Sequence, residues 1–146
     1  LALKSDSLMS KFWGKLPALD VHFFHLIPTP LRMTSMPIEI SVQDLALMLA
    51  HPNGDRQLID VREPHEVEIA ALPGFEILPL SEFAQWSGTI RERYDGEKET
   101  VVLCHHGIRS DQMAHWLMDQ GFSKVKNVVG GIDAYSRLVD ATIPRY

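Results

Sequence analysis

Five short apolar runs, IEI, QLIDV, EILPL, TVVLC and KVKNVV, lie along residues 38–129 with a helix-length stretch between each successive pair. Strands that are apolar on both faces and regularly separated by helices belong to a parallel sheet, because every crossover lays a helix on one face or the other. The expected fold is therefore α/β, with a central five-stranded parallel sheet flanked by helices on both faces. A sheet of this kind binds ligands beyond the carboxyl ends of its strands. Cys104, Asp60 and the pair Gly130–Gly131 all fall at such ends.

The intervening stretches carry helix signals. Ser41 and Asp44 have capping-box spacing, and Val42, Leu45, Ala46 and Leu49 recur at helical intervals. Pro64 suits a first helical turn, which predicts a helix over EPHEVEIAAL ended by Pro73–Gly74. Ser81 is placed to cap one continuous helix, EFAQWSGTIRERY. A further helix is predicted from about Ser110 to Gln120, and GGIDAYSRLV is the last. With 146 residues the chain holds one ordinary domain, over 36–146. Residues 1–35 read differently and are taken as an N-terminal arm, an extension ahead of a start at Met33 or Met36 or an added segment. The arm lacks the layout of a secretory signal. Its Phe12, Trp13, Phe23 and Phe24 are expected to pack on the domain or on a second copy, giving a dimer through the arm.

Partners are bounded by charge and hydropathy. A formal net charge of −5 gives no reason to seek nucleic acid or anionic membrane. No uncharged apolar run approaches the roughly 20 residues needed to span a bilayer. The chain's only cysteine, Cys104, can form no internal disulfide, so a reducing, cytoplasmic setting is expected. Nor can a second thiol of this chain resolve a modified Cys104, so any sulfur chemistry must end on another molecule.

That cysteine opens the segment CHHGIRS between the fourth strand and the next helix. A lone cysteine ending an apolar strand is commonly inert core. Here the residues that follow are poor core material. A helix start directs free N–H groups and a positive dipole end at the turn. Gly107 permits backbone conformations in which successive N–H groups converge on one point, and Arg109 adds a permanent charge. All three favour the thiolate, the nucleophilic form. His105 and His106 are adjacent and cannot easily share one ion with Cys104. His22 and His25 have helical spacing without accompanying ligands, so no metal site is expected.

LIDVREPHEVEIAALPGF, LPLSEF, VVLCHHGIRS and NVVGGIDAYSRLVD together resemble, in order and spacing, a rhodanese-like domain, over Ile38 to about Pro144. The resemblance implies a sulfurtransferase without a cofactor. Cys104 would take a sulfane sulfur from a small-molecule donor, thiosulfate or a persulfide or polysulfide, and pass it to a thiol or cyanide. His105, His106, Gly107, Ile108, Arg109 and Ser110 would form the cradle, with Arg109 helping to hold an anionic donor. Asp60 and Arg62 would support the site, with Glu66 an ion partner, either directly or as a structural charge network. Related cell-division phosphatases and arsenate reductases carry a loop one residue longer than the six-residue loop here, so phosphoryl chemistry is disfavoured. A catalytically idle binding module is the remaining alternative. His105 stands where thiosulfate-preferring members usually place a basic residue, and Ala70–Ala71 replace the usual Gly-His, which leaves the donor open.

Overall fold

A computed structural model describes residues 35–146. The expectations for residues 1–34, including the packing of their aromatic side chains, the dimer through the arm and the His22–His25 pair, lie outside the described residues. Five strands, β1 (Ile38–Ile40), β2 (Arg56–Asp60), β3 (Glu76–Ile77), β4 (Glu99–Leu103) and β5 (Val125–Val128), form one sheet in the order β1-β5-β4-β2-β3. Every pairing is parallel, as the continuous apolar runs require. The helices are α1 (Val42–Ala50), α2 (Pro64–Ile69), α3 (Phe83–Trp86), α4 (Ile90–Arg93), α5 (Ile108–Asp119) and α6 (Gly131–Leu138).

Side-chain alternation along β4 divides the core into two layers. Val101 and Leu103 join Ile40, Leu45 and Ile132 on the face covered by α1 and α6. Val102 and Cys104 point the other way, toward Trp86, Ile90, Met113 and Leu117 on the face covered by α3, α4 and α5. Cys104 thus continues the period-two pattern of β4 one residue past its end and inherits an inward direction.

Most element starts follow their local signals. Ser41 and Asp44 form the capping box, with the Ser41 hydroxyl accepting from the Asp44 N–H at 3.1 Å and Asp44 accepting from the Ser41 N–H at 3.2 Å. Three boundaries differ from expectation. α2 stops at Ile69 instead of reaching Leu72, because the Arg62 guanidinium takes the Ala70 carbonyl at 2.9 Å and Ala70 is already extended. β3 keeps two residues of EILPL, since Pro79 has no N–H to continue the ladder after Leu78 donates to Asp60 O. The single helix expected after Ser81 is broken: a 3-10 turn at Leu80–Glu82 precedes α3, and a second at Ser87–Thr89 separates α3 from α4. Gly88 sits in the second break, and the Trp86 indole donates to Pro79 O at 2.9 Å, drawing this segment inward. Ser81 is no cap; its hydroxyl donates to Glu63 at 2.5 Å.

The turn between β5 and α6 lies directly beneath the residues that follow β4. Ile132 N–H donates to Cys104 O at 3.0 Å and Asp133 N–H to His105 O at 3.1 Å. Gly131 has φ +58, and a Cβ there would stand 2.4 Å from Cys104 O and 2.3 Å from His105 O. Backbone oxygens on both sides leave no room for it. Gly131→Ala should therefore lower stability by about 2 kcal/mol or more, read as a fall in the urea midpoint. Gly54→Ala, with nothing within 4 Å, is the control and should stay within about 0.5 kcal/mol of the parent. Equal midpoints for the two variants would contradict this account of the turn.

Candidate active site

Cys104 leaves β4 and the chain turns at once into α5 through His105, His106 and Gly107. The turn is possible because Gly107 adopts φ +95, a left-handed conformation that also serves as the N-cap of α5. α5 consequently starts two residues earlier than the sequence predicts. Gly107 also fits closely beneath the loop: a Cβ there would lie 2.9 Å from Gly130 N and 3.1 Å from Val128 O.

In this conformation the Gly107 N–H donates to Cys104 Sγ at 3.0 Å. The Ser110 hydroxyl, in the first turn of α5, lies 3.2 Å from the same sulfur. These are the hydrogen-bonding contacts to Sγ among the described residues, so the expected ring of amides is represented by one N–H donor, the hydroxyl giving its own proton to Asn127. The N-terminal end of a 12-residue helix adds its positive dipole end from the same side. Ser110 is held in turn by Asn127 on β5, whose Oδ1 accepts from the hydroxyl at 2.6 Å and whose Nδ2 donates to Gly107 O at 3.2 Å. Asn127, not singled out in the sequence, ties both contacts of the sulfur to the sheet. No imidazole or carboxylate hydrogen-bonds to Sγ among the described residues, so the site holds no preformed cysteine–histidine pair.

The sulfur is also deep. Cys104 is 1% exposed, and its other neighbours belong to the apolar layer around Ile59, Val61 and Met113. The rim above it is open by comparison: Ile108 is 70% exposed and the His106 side chain 61%.

Two ion pairs stand beside the loop. Asp60 and Arg62 face each other at the end of β2, with Nε donating to Oδ1 at 3.0 Å and Nη2 to Oδ2 at 2.6 Å, and both are buried. Burial opposes the Arg62 charge, yet Asp60 and the Tyr146 hydroxyl hold its pKa above the ordinary value. The second pair joins α2 to α5. Arg109 donates through both Nη atoms to the two oxygens of Glu66, each at 2.7 Å. Glu66 is thus the partner of Arg109, and the arginine expected to hold an anionic donor has its fork on a carboxylate. The Arg109 bonds first, against burial and with help from the Glu63 N–H and Tyr146, bring the Glu66 carboxyl down to about 2. The Arg109 pKa is raised by the same pair.

His105 and His106 stack at 3.9 Å between ring centroids, and the Tyr146 ring stacks on His105 at 4.1 Å. Burial, then the adjacent His106, hold the His105 pKa below its ordinary value, so its imidazole is neutral at pH 7. The structure therefore brings Cys104, the whole segment from His105 to Ser110, and Asp60, Arg62 and Glu66 into one neighbourhood. Tyr146 belongs there too and has no signal in the sequence; it lies 42 positions from Cys104, outside every motif.

Glu66 provides a test of this charge arrangement. A carboxyl lowered from 4.5 to about 2 stabilises the folded state fully above about pH 4.5, and that contribution is lost as pH falls toward 2. The urea midpoint of the parent protein should decline through this window more steeply than that of Glu66→Gln, which has nothing to titrate there. Parallel declines would show that the Glu66–Arg109 pair is absent in solution.

Comparison with known proteins agrees with the geometry. Residues 41–138 match the family model for the rhodanese-like domain. The chain is 49% identical over 110 residues to Rhodanese-like/PpiC domain-containing protein 12, chloroplastic, of Arabidopsis thaliana, covering 74% of this chain and 37% of that protein. It is 31% identical over 102 residues to Adenylyltransferase and sulfurtransferase MOCS3-1 of Zea mays, covering 67% of this chain and 22% of that one. The chain thus spans well under half the length of these curated relatives. Among solved structures, the single-domain sulfurtransferase RDL2 of Saccharomyces cerevisiae superposes with a TM-score of 0.65 at 21% identity, covering 77% of this chain and 98% of that one, which is a likeness of fold. The cytoplasmic expectation is corrected by the Arabidopsis relative, which is named as chloroplastic. An unpaired thiol speaks for reducing surroundings and cannot tell one reducing compartment from another. By its strand order, its cysteine-bearing loop and this matched span of sequence, the chain belongs to the rhodanese-like domain family.

Proposed function

We propose that this domain is a sulfurtransferase that carries a sulfane sulfur on Cys104. The observation that supports it best is the Gly107 N–H donated to Sγ at a strand end facing the start of α5. That N–H and the positive end of the α5 dipole both favour a negatively charged sulfur. The sulfurtransferases among the chain's relatives add to this reading.

The Cys104 thiolate attacks the outer sulfur of thiosulfate, a persulfide or a polysulfide. The donor's sulfur–sulfur bond breaks and the leaving group, sulfite or a thiolate, keeps the electron pair. Cys104 then holds a persulfide, whose terminal sulfur is attacked by cyanide or an acceptor thiolate, and the cysteine sulfur leaves with its pair. Neither step requires an external oxidant or a cofactor. Nor does either require a general base once the thiolate is formed, consistent with a sulfur that has a main-chain N–H donor rather than an imidazole beside it.

The deep placement of Cys104 favours a second reading, a binding module whose cysteine never reacts. One experiment separates the two. Incubated with thiosulfate or a small persulfide and analysed intact by mass spectrometry, the protein should gain one sulfur atom, removable by dithiothreitol. Cys104→Ser should gain none and should lose cyanide-dependent thiocyanate formation by at least about a hundredfold. No adduct from any donor, together with a Cys104 inert to iodoacetamide in the folded protein, would establish the binding module. Undiminished thiocyanate formation by Cys104→Ser would remove Cys104 from the chemistry.

A further inference from the structure

The C-terminal segment after α6 returns along that helix to the reactive loop. The Asp140 side chain accepts from the Thr142 N–H and hydroxyl, turning the chain. Ile143 packs against the layer of α1 and α6, and its carbonyl accepts from the Ser136 hydroxyl at 2.6 Å. Arg145 donates to Asp133 at 3.1 Å, in the first turn of α6. These anchors deliver Tyr146 to the mouth of the site, 38% exposed.

Tyr146 reaches both ends of the loop. Its ring lies nearly parallel to His105, the residue after the nucleophile, at 15° and 4.1 Å, and His106 covers the other side of that imidazole. Its hydroxyl accepts from Arg62 Nη1 at 2.7 Å and donates to Glu66 Oε1 at 3.3 Å, and Glu66 grips Arg109, five residues after the nucleophile. The hydroxyl therefore joins the Asp60–Arg62 pair to the Glu66–Arg109 pair, while the ring fixes His105 directly. From below, the Asp133 N–H holds His105 O at 3.1 Å. A loop pinned at its carbonyl, its first side chain and its arginine has little freedom to turn the Gly107 N–H away from the sulfur.

We infer that Tyr146 is a positioning residue of the sulfur-transfer site, its ring clamping His105 and its hydroxyl tying Arg109 in place through Glu66. The inference rests on the sulfurtransferase reading for its kinetic arm and stands apart from it for its spectroscopic arm. It also assigns the tail from Asp140 to Tyr146 a part in catalysis that does not require it to touch the donor.

Tyr146→Phe keeps the ring and removes the hydroxyl; Tyr146→Ala removes both. In single-turnover persulfidation followed by intact mass, Tyr146→Ala should slow the maximal rate about tenfold, while the donor concentration at half-maximal rate moves less than about threefold. Tyr146→Phe should recover most of the loss. A protein that was merely less stable would lose amplitude, the fraction of molecules labelled, and keep its rate. In NMR titrations, the His105 imidazole pKa should rise toward its ordinary value in Tyr146→Ala and remain low in Tyr146→Phe. The groups facing that ring besides Tyr146 are His106, Asp133, Glu66 and Arg109, all unchanged in both variants. Wild-type rate and wild-type His105 titration in Tyr146→Ala would overturn the inference. If Tyr146→Ala does not fold, Tyr146→Trp takes its place: a preserved ring should keep His105 titrating low, and a normal His105 pKa there overturns the clamp. A wild-type protein that accepts no sulfur from any donor would defeat the sulfurtransferase reading, and the His105 titration would still decide the clamp.

Discussion

The close approach of two backbones, the turn at Gly130–Gly131 beneath the carbonyls of Cys104 and His105, is the constraint on which the site depends. Two consecutive carbonyls after β4 are spent on the first N–H groups of α6, which a helix start leaves without partners of its own. The exchange satisfies donors and acceptors at once, and it fixes the path of the chain as it leaves the sheet. With that path set, Gly107 must turn sharply, and its left-handed conformation directs its N–H at the sulfur and begins α5. Neither glycine has space for a side chain. The chemistry of the thiol is therefore a consequence of how tightly β4, β5 and α6 meet.

Around this turn the charges are arranged in closed pairs. Arg62 is fully buried and has its full complement of acceptors in Asp60, Glu66 O, Ala70 O and Tyr146, a distribution that makes an interior guanidinium tolerable. It is as much a helix terminator as an ion partner, since it occupies carbonyls at the end of α2. Arg109 is nearer the surface and is committed in bidentate fashion to Glu66. An anion approaching Cys104 meets an arginine whose two terminal nitrogens each already serve a carboxylate, one that keeps its charge down to about pH 2. Arg109 accordingly acts first as a brace between α2 and α5, and the neutral His105 beside it contributes stacking area rather than charge.

The sequence made the layers, the strand order's parallel character and the neighbourhood of the site legible, because those features are written in short-range periodicity. The capping box at Ser41 follows from a spacing of three residues. What could not be read is long-range. The partner of Arg109 is 43 positions away, and Ser81 looked like a helix cap because its bond to Glu63 spans 18 positions. Local propensity over Glu82–Tyr94 gave one helix, whereas the inward pull of Trp86 and the presence of Gly88 gave two short ones with a 3-10 turn between. Asn127 lies in a strand run next to Lys126 and flanked by valines, and only the fold shows that it holds the hydroxyl beside the sulfur.

The remaining tension is between depth and reactivity. The sulfur of a cysteine that is 1% exposed cannot be attacked where it stands, while a sulfur with a main-chain N–H directed at it beside a helix start is not arranged as inert core. The two facts are reconciled if exposure is a property of the loop rather than of the strand. His106, stacked on His105, and Ile108 are the exposed members of the rim, standing outside the contacts that Gly107 and Ser110 make with Sγ. Those latter residues are held through Asn127 to the sheet, and His105 through Tyr146 to the tail. The loop is thus braced where it touches the sulfur and exposed at its rim. Such bracing keeps the groups around the sulfur in place, which is what preorganisation requires.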